Sequence, residues 1–251
     1  MDQDEQNRTP APPGQLSLIR MCKGLEPLGS GIAFAVHDNL GRIIGAVRAI
    51  DFEVGNDLAV LDQMTRWRKT NASNFFTQFV PTIERTRRWI NDVILPDPTR
   101  ILFLVESEDG RRLGQFALCS ITGGAAQLDN GIRGEAGGNP QLFYFVELAV
   151  IQFCFEHLKV ERIFGCMFSN NVMAILLHKA VGLSIEKVER LRKSEYQDEV
   201  RFDPVTDPNQ VNTEVQLFTL ATDRKSFYLR HPGLARCPLV RTIERTEWRL
   251  R

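Results

Sequence analysis

Residues 133–158 restrict the fold more tightly than any other part of the chain. The run Arg133-Gly134-Glu135-Ala136-Gly137-Gly138-Asn139-Pro140 leads straight into an apolar segment from Gln141 to Leu158. Leu142, Phe145, Val146, Ala149 and Phe153 recur at helical spacing, and the other faces are apolar too. A helix that is apolar all round has to be covered on every side. The apolar run VERIFGCMF, residues 160–168, follows and reads as a central strand covered on both faces.

The whole chain can supply such a core. Its 251 residues are 43% hydrophobic and 25% charged, enough to bury a core without disulfides or a structural metal. Lys and Arg number 31, as do Asp and Glu, so the formal charge is zero. That balance excludes a dedicated nucleic-acid binder, which needs a basic surplus. The balance is uneven along the chain: residues 223–251 hold eight basic and three acidic side chains, a tail of about +5 on a body of about −5. No apolar run approaches the roughly 20 residues that span a bilayer. The N-terminus is acidic and proline-rich without a signal core. No membrane association and a cytoplasmic location are therefore expected. Five cysteines, an odd number in mostly apolar stretches, read as buried free thiols. Cys154 and His157 lack a second pair of ligands, so no metal is expected.

Residues 1–14 read as a disordered arm. A hairpin is predicted over Ile32–Ala49, turning at Asp38-Asn39-Leu40-Gly41. Helical spacing follows from Asp57 to Lys69, and Thr82 caps a second helix with the stripe Ile83, Ile90, Val93 and Ile94, ended at Pro96. Strands are predicted at 101–106, 111–121 and 125–133, and a helix from Asn171 to Val181 stopped by Gly182. Two more strands, 184–192 and 213–222, flank an acidic connector. The remainder wraps the body and ends in a short helix carrying Trp248. This order implies an α+β fold with a mixed sheet.

Two features point to chemistry. Unpaired amides at a helix N-terminus, approached through glycines, suit a phosphate. The loop lacks the Lys-Ser/Thr of nucleoside-triphosphate loops, and no strand–helix–strand repeat supports a dinucleotide fold. After the apolar strand comes Asn171-x-x-Ala174-x-x-Leu177-His178-Lys179-x-Val181-Gly182-Leu183. This resembles the fingerprint of the GNAT superfamily of acyl-CoA N-acyltransferases, which typically reads Asn-x-x-Ala-x-x-Leu-Tyr-x-x-Leu-Gly-Phe. The resemblance covers roughly residues 44–222. Trp67-Arg68 in the first helix is similar to the branch that includes ribosomal-protein N-terminal acetyltransferases and acetyltransferases of nucleotide-linked amino sugars.

The resemblance implies a mainly antiparallel sheet with helices on both faces and two parallel strands, AAQLDNGIR and VERIFGCMF, that splay apart. It divides the chain into the arm, an acetyltransferase domain over 15–222 with an added hairpin region at 15–43, and a basic extension over 223–251. It implies acetyl-CoA as co-substrate, without a metal, and transfer of acetyl to a primary amine. The acceptor expected is a nucleotide-linked amino sugar. A protein N-terminus, or a noncatalytic module binding CoA or a partner, are the alternatives, and a homodimer is compatible with the family.

The implied cofactor contacts are Arg133, Gly134, Ala136, Gly137, Gly138 and Asn139, with Ala136 standing where the family's loop has its first glycine and Gly137 serving if the register moves by one. Asn170 or Asn171 contacts the pantetheine or caps the helix. His178 stands at the family's tyrosine and protonates the thiolate or sits as a packed histidine. Asp129, at the end of the splayed strand, accepts the amine proton or forms a turn. Glu147, embedded in the apolar helix, is a base or needs a structural partner. Trp67, Arg68, Phe75 and Phe76 border the acceptor pocket or pack in the core. Phe79 and the basic run Arg85, Arg87 and Arg88 are further candidates, and acids of the connector 195–207 are placed to attract a cationic amine or to be solvated.

Overall fold

The computed structural model describes residues 11–25, 32–236 and 242–243. In chain order the elements are α1 (Pro13–Cys22), β1 (Ala33–His37), β2 (Ile43–Ala49), α2 (Phe52–Gly55), α3 (Leu58–Thr70), β3 (Thr77–Phe79) and α4 (Ile83–Arg88). After α4 a π-helical turn runs from Trp89 to Ile94. Then come β4 (Ile101–Ser107), β5 (Arg112–Cys119), β6 (Ala125–Arg133), α5 (Leu142–Glu156), β7 (Arg162–Phe168) and α6 (Val172–Ala180). The chain continues through β8 (Ser184–Glu195), β9 (Glu199–Val205), β10 (Gln216–Asp223), α7 (Arg224–Arg230), α8 (Pro232–Arg236) and β11 (Thr242–Ile243).

The strands form one sheet in the order β11-β1-β2-β4-β5-β6-β7-β10-β8-β9-β3. Every described pairing is antiparallel except β6 with β7. This is the mixed, mainly antiparallel α+β architecture expected. Helix α5 buries 13 of its 15 residues, from Leu142 to Phe155, against one face. Phe34, Phe103, Leu118, Leu128 and Ile163 meet it there. On the other face Val60, Leu61, Met64 and Trp67 of α3, with Ile90 and Ile94, cover Leu102, Leu104, Ala117 and Ile132. Burying a leucine- or phenylalanine-sized side chain is worth roughly 1.5–3 kcal/mol, so the two layers commit the sheet to both faces.

Local signals act where the sequence places them. Asp38 closes the first hairpin by accepting from the amides of Leu40 and Arg42 at 2.9 and 3.0 Å. Gly41 supplies the left-handed residue, φ +76°. Asp57 caps α3 and Thr82 caps α4. Gly182, at φ +105°, ends α6. Cys22, Cys119 and Cys154 are buried free thiols and Cys166 is half-buried; burial pushes the Cys22 thiol up to about 12.

Other expectations need correction. Helix α1 begins at Pro13, inside the stretch read as a disordered arm, because proline at the first helical turn loses no hydrogen bond; the rest of that arm, residues 1–10, lies outside the described residues. The acidic connector contains β9, a half-exposed strand whose charged residues mask the pattern and whose pairing to β8 holds it. The second helix is broken by its π-turn, and Ile83 and Val93 are exposed while Ile90 and Ile94 are buried. Strand β7 is fully covered on one face only: Ile163, Gly165 and Met167 are buried, whereas Arg162, Phe164 and Cys166 are half-buried. In keeping with the expectation that the remainder wraps the body, residues 223–236 dock on it through buried Phe227 and through Arg224, which donates to the Phe155 carbonyl and pairs with Glu156 at 3.0 Å. Cys237 and Trp248 lie outside the described residues.

Lys23 ties the N-terminal helix to the second layer. It is 2% exposed, and its Nζ donates to the carbonyls of Ile94 at 2.8 Å, Leu95 at 3.3 Å and Asp97 at 2.5 Å. Burial lowers its pKa to about 8, with Asp97 opposing. Lys23→Met should lose about 2–4 kcal/mol of stability, since the carbonyls at the end of the π-turn would be left unpaired, read as a lower urea midpoint. The folded pKa lies below the unfolded one, so deprotonation favours the folded state. The gap between wild type and Lys23→Met should therefore widen as pH rises from 8 towards 10.5.

Candidate active site

Strands β6 and β7 pair only from Ala125 opposite Arg162 to Leu128 opposite Gly165. Beyond that point each stays with its outer neighbour, β6 with β5 to Arg133 and β7 with β10 to Phe168. A bulge drives them apart: the β5–β6 register slips between Gln115 and Ala117, and Asn130 sits at φ +49°. Bulges bend a strand and re-aim its side chains. The gap is thus bordered by two inner strand edges, the kind of backbone with which an extended amide-bearing ligand pairs.

The glycine loop lies at the end of β6. Gly134 packs so closely on Trp67 that a Cβ there would come within 2.1 Å of the indole. The Trp67 Nε1–H donates to Glu135 Oε1 at 3.0 Å, and Arg66 pairs with the same oxygen at 3.2 Å. The indole hydrogen bond, with Arg66 beside it, holds the Glu135 carboxyl below its ordinary range. Gly137 and Gly138 take φ +102° and +63°. Arg133 donates to the carbonyls of Gly137 at 2.8 Å and Pro140 at 3.4 Å. Among the described residues the amides of Ala136, Gly137, Gly138 and Asn139 make no backbone hydrogen bond. Four donors are left on an exposed loop at the mouth of a 15-residue helix, the arrangement that suits an anion.

The two faces of the gap differ. On the α5/α6 face His178 lies against β7, its Nε2 2.9 Å from where a Cβ on Gly165 would sit. Its Nδ1 is 2.5 Å from Glu147 Oε1. Glu147 is wholly buried, and among the described residues its Oε2 has no partner. Asn171 caps α6 by accepting from the Ala174 amide at 3.3 Å, and Asn170 is exposed beside it.

On the α3/α4 face a cleft of about 450 Å³ is lined by Phe75, Phe76, Phe79 and Trp89, by Arg68 and Arg85, and by Asp129 and Asn130. Arg68 stacks on Phe75 at 3.2 Å and Arg85 on Phe79 at 3.6 Å. Burial lowers the Arg68 pKa to about 10, with Asp129 opposing and Arg85 adding to the fall. Arg68 donates to the Thr77 carbonyl at 2.9 Å and forms no ion pair among the described residues. Arg85 pairs with Glu199 at 3.1 Å and Arg100 with Asp97 at 2.8 Å. Asp129 accepts from Asn130 Nδ2 at 2.7 Å. Burial first, then the nearby Asp129 carboxylate, pushes the Cys119 thiol up.

Several residues therefore stand elsewhere than expected. Trp67 is buried against the glycine loop rather than lining the acceptor cleft. Arg133 is engaged with its own loop's carbonyls. Glu147 meets His178, on the opposite side of the sheet from Asp129, so the three candidate catalytic residues do not converge on one face. Arg87 and Arg88 pair with Glu84 and Arg85 with Glu199, and the arginines stay partly exposed, which fits the alternative reading of the basic run as a solvated face. Arg68, Phe75, Phe76 and Asp129 do share the cleft. Phe76 also packs on Phe168 at 4.8 Å and Phe168 on Phe202 at 4.9 Å, anchoring the segment between α3 and α4 to the far half of the sheet. Gly165 escaped the sequence reading; a glycine inside an apolar strand is itself a sign of close approach.

Residues 54–203 match the family model described as an acetyltransferase (GNAT) domain. The chain belongs to the GNAT acetyltransferase family. Membership makes it an N-acetyltransferase. The fold is similar to that of a spermidine N-acetyltransferase from Vibrio cholerae, solved with CoA and spermine, at TM-score 0.54 and 15% identity over 72% of this chain and 96% of that one. It is similar to FdhC, a nucleotide-linked sugar GNAT, at TM-score 0.54 and 13% identity over 81% and 97%. A GNAT-family acetyltransferase from Bacillus anthracis aligns at TM-score 0.55 and 12% identity over 76% and 99%. No curated protein matches the chain by sequence. Among the described residues no helix is long and apolar enough to cross a membrane.

The tight Gly134–Trp67 contact makes the loop a sensitive point. Gly134→Ala should destabilise the chain by about 1–3 kcal/mol, read as a lower urea midpoint.

Proposed function

We propose that the chain transfers the acetyl group of acetyl-CoA to the primary amine of a nucleotide-linked amino sugar. The observation that carries the acceptor class is Arg68, a half-buried guanidinium with no ion-pair partner among the described residues, stacked in an aromatic-lined cleft beside Arg85. Burying a charge without a direct ion pair is costly; Asp129 in the same cleft offsets part of that cost, and a phosphate on the acceptor would relieve the rest. A polyamine would instead bring a second positive charge beside Arg68, whose guanidinium forms no ion pair among the described residues. Phe75, Phe76 and Phe79 offer faces for a sugar or base, and a cation stacked on an aromatic face is worth about 0.5–2 kcal/mol.

In this reading the CoA diphosphate rests on the amides of residues 136–139 and the pantetheine arm pairs with the open edges of β6 and β7. Arg133 and Trp67 serve by holding the loop, and Asn171 by starting α6. The amine approaches from the cleft face, attacks the thioester carbonyl and forms the C–N bond. Its surplus proton passes to Asp129, directly or through a water. The tetrahedral oxyanion is met by strand-edge amides at the gap. The C–S bond then breaks, and the thiolate takes a proton from His178 on the opposite face. Base and acid can stand on two sides of the sheet because the tetrahedral intermediate carries nitrogen and sulfur as separate substituents of one carbon, placed in a gap that opens to both faces.

Release of free thiol from acetyl-CoA, followed over a panel of nucleotide-linked amino sugars, polyamines and peptides, tests the reading. Turnover should be confined to phosphate-bearing acceptors; turnover with polyamines or peptides instead would overturn the acceptor class, and CoA binding without any turnover would favour a noncatalytic module. Arg68→Met should raise the acceptor KM about 10- to 100-fold, the loss of one charge-assisted contact or about 1.5–3 kcal/mol, and leave the acetyl-CoA KM within about twofold. Asp129→Asn should lower kcat by about 100-fold or more.

A further inference from the structure

Helix α5 is apolar throughout its buried length except at Glu147 and Gln152. Gln152 has an ordinary structural role, donating to the Leu234 carbonyl at 3.0 Å. Glu147 does not. Its side chain is 0% exposed; one oxygen bonds to His178 and the other to nothing among the described residues. As a packing device this is a poor solution, since an apolar residue of similar size would avoid desolvating a carboxylate. The pair also sits at a particular place. His178 Nε2 rests over Gly165, the last residue of β7 still paired with β6. The ring thus spans from the buried carboxylate to the point where the strands part.

We infer that Glu147 is a positioning residue which fixes His178, through Nδ1, so that Nε2 donates to the sulfur of CoA at the parting of β6 and β7. The inference rests on the acetyl-CoA reading above. Glu147 orients the ring and compensates the positive charge of the imidazolium, so the pair is neutral overall and tolerates a water-poor site. When the C–S bond breaks, its electron pair goes to sulfur. The Nε2 proton follows, and the imidazole keeps Nδ1–H on Glu147. The next proton for Nε2 comes from water after CoA leaves.

CoA and desulfo-CoA, which lacks the sulfur, separate this role from a structural one without any acceptor present. Calorimetric titration of the wild-type chain should show CoA bound about tenfold more tightly than desulfo-CoA, about one charge-assisted hydrogen bond. In Glu147→Gln the preference should fall to about twofold or less while desulfo-CoA affinity stays put. The paired change Glu147→Leu with His178→Phe removes the buried charge together with its partner and should abolish the preference too. In turnover, Glu147→Gln should lower kcat at least tenfold with the acetyl-CoA KM within about twofold. A wild-type chain without sulfur preference, or a Glu147→Gln chain that keeps it, overturns the inference. Binding of neither ligand overturns the acetyl-CoA reading itself, a result distinct from binding both equally.

Discussion

The structure depends on the point where two adjacent parallel strands stop pairing. Leu128 and Gly165 are the last partners; one residue later Asp129 and the Asn130 bulge turn β6 away. Unpaired strand edges inside a sheet are costly unless something else satisfies them. The layers around the gap keep it open: α5 buries nearly its whole circumference on one face, while α3 and the π-turn cover the other. The outer neighbours β5 and β10 remain paired along β6 and β7, so neither strand can swing back without breaking a ladder. The gap is a built feature of the sheet, and it gives the two faces a common opening.

Charge is distributed to match. The chain is formally neutral, and most of the ion pairs around the site are closed locally: Arg48 with Glu106, Arg66 with Asp62 and Glu135, Arg112 with Asp57, Arg100 with Asp97. A second cleft of about 750 Å³ beside the glycine loop is lined largely by these already matched groups. Against that background the unmatched groups stand out. Arg68 lies on the cleft face, Glu147 Oε2 on the other, and four loop amides at the end of β6. In the proposed function these three features serve, in turn, the acceptor, the leaving sulfur and the diphosphate.

What was legible in the sequence was what neighbouring residues decide. The Asn171 cap, the Gly182 stop and the glycine loop are local backbone requirements, and they carried the family resemblance as well as the element order. The buried helix was legible because apolarity on every face admits one environment. Contacts between distant residues were not. Trp67 looks like a binding aromatic until Gly134, 67 residues later, is found against its ring. Glu147 and His178 are 31 residues apart on different helices, and no spacing rule joins them. Strands β3 and β9 are short or charged, and partners rather than pattern hold them in the sheet. The cleft itself exists because that pairing carries Phe75 and Phe76 across from α3.

The central claim is that the parting of β6 and β7, with the loop at its end, is where CoA is held. Amide hydrogen exchange with and without CoA tests it directly. The account predicts slowed exchange over residues 129–139 and 166–171, with β4 and the first hairpin unchanged. Protection confined to other segments, or no change in those two when CoA is bound, would contradict it.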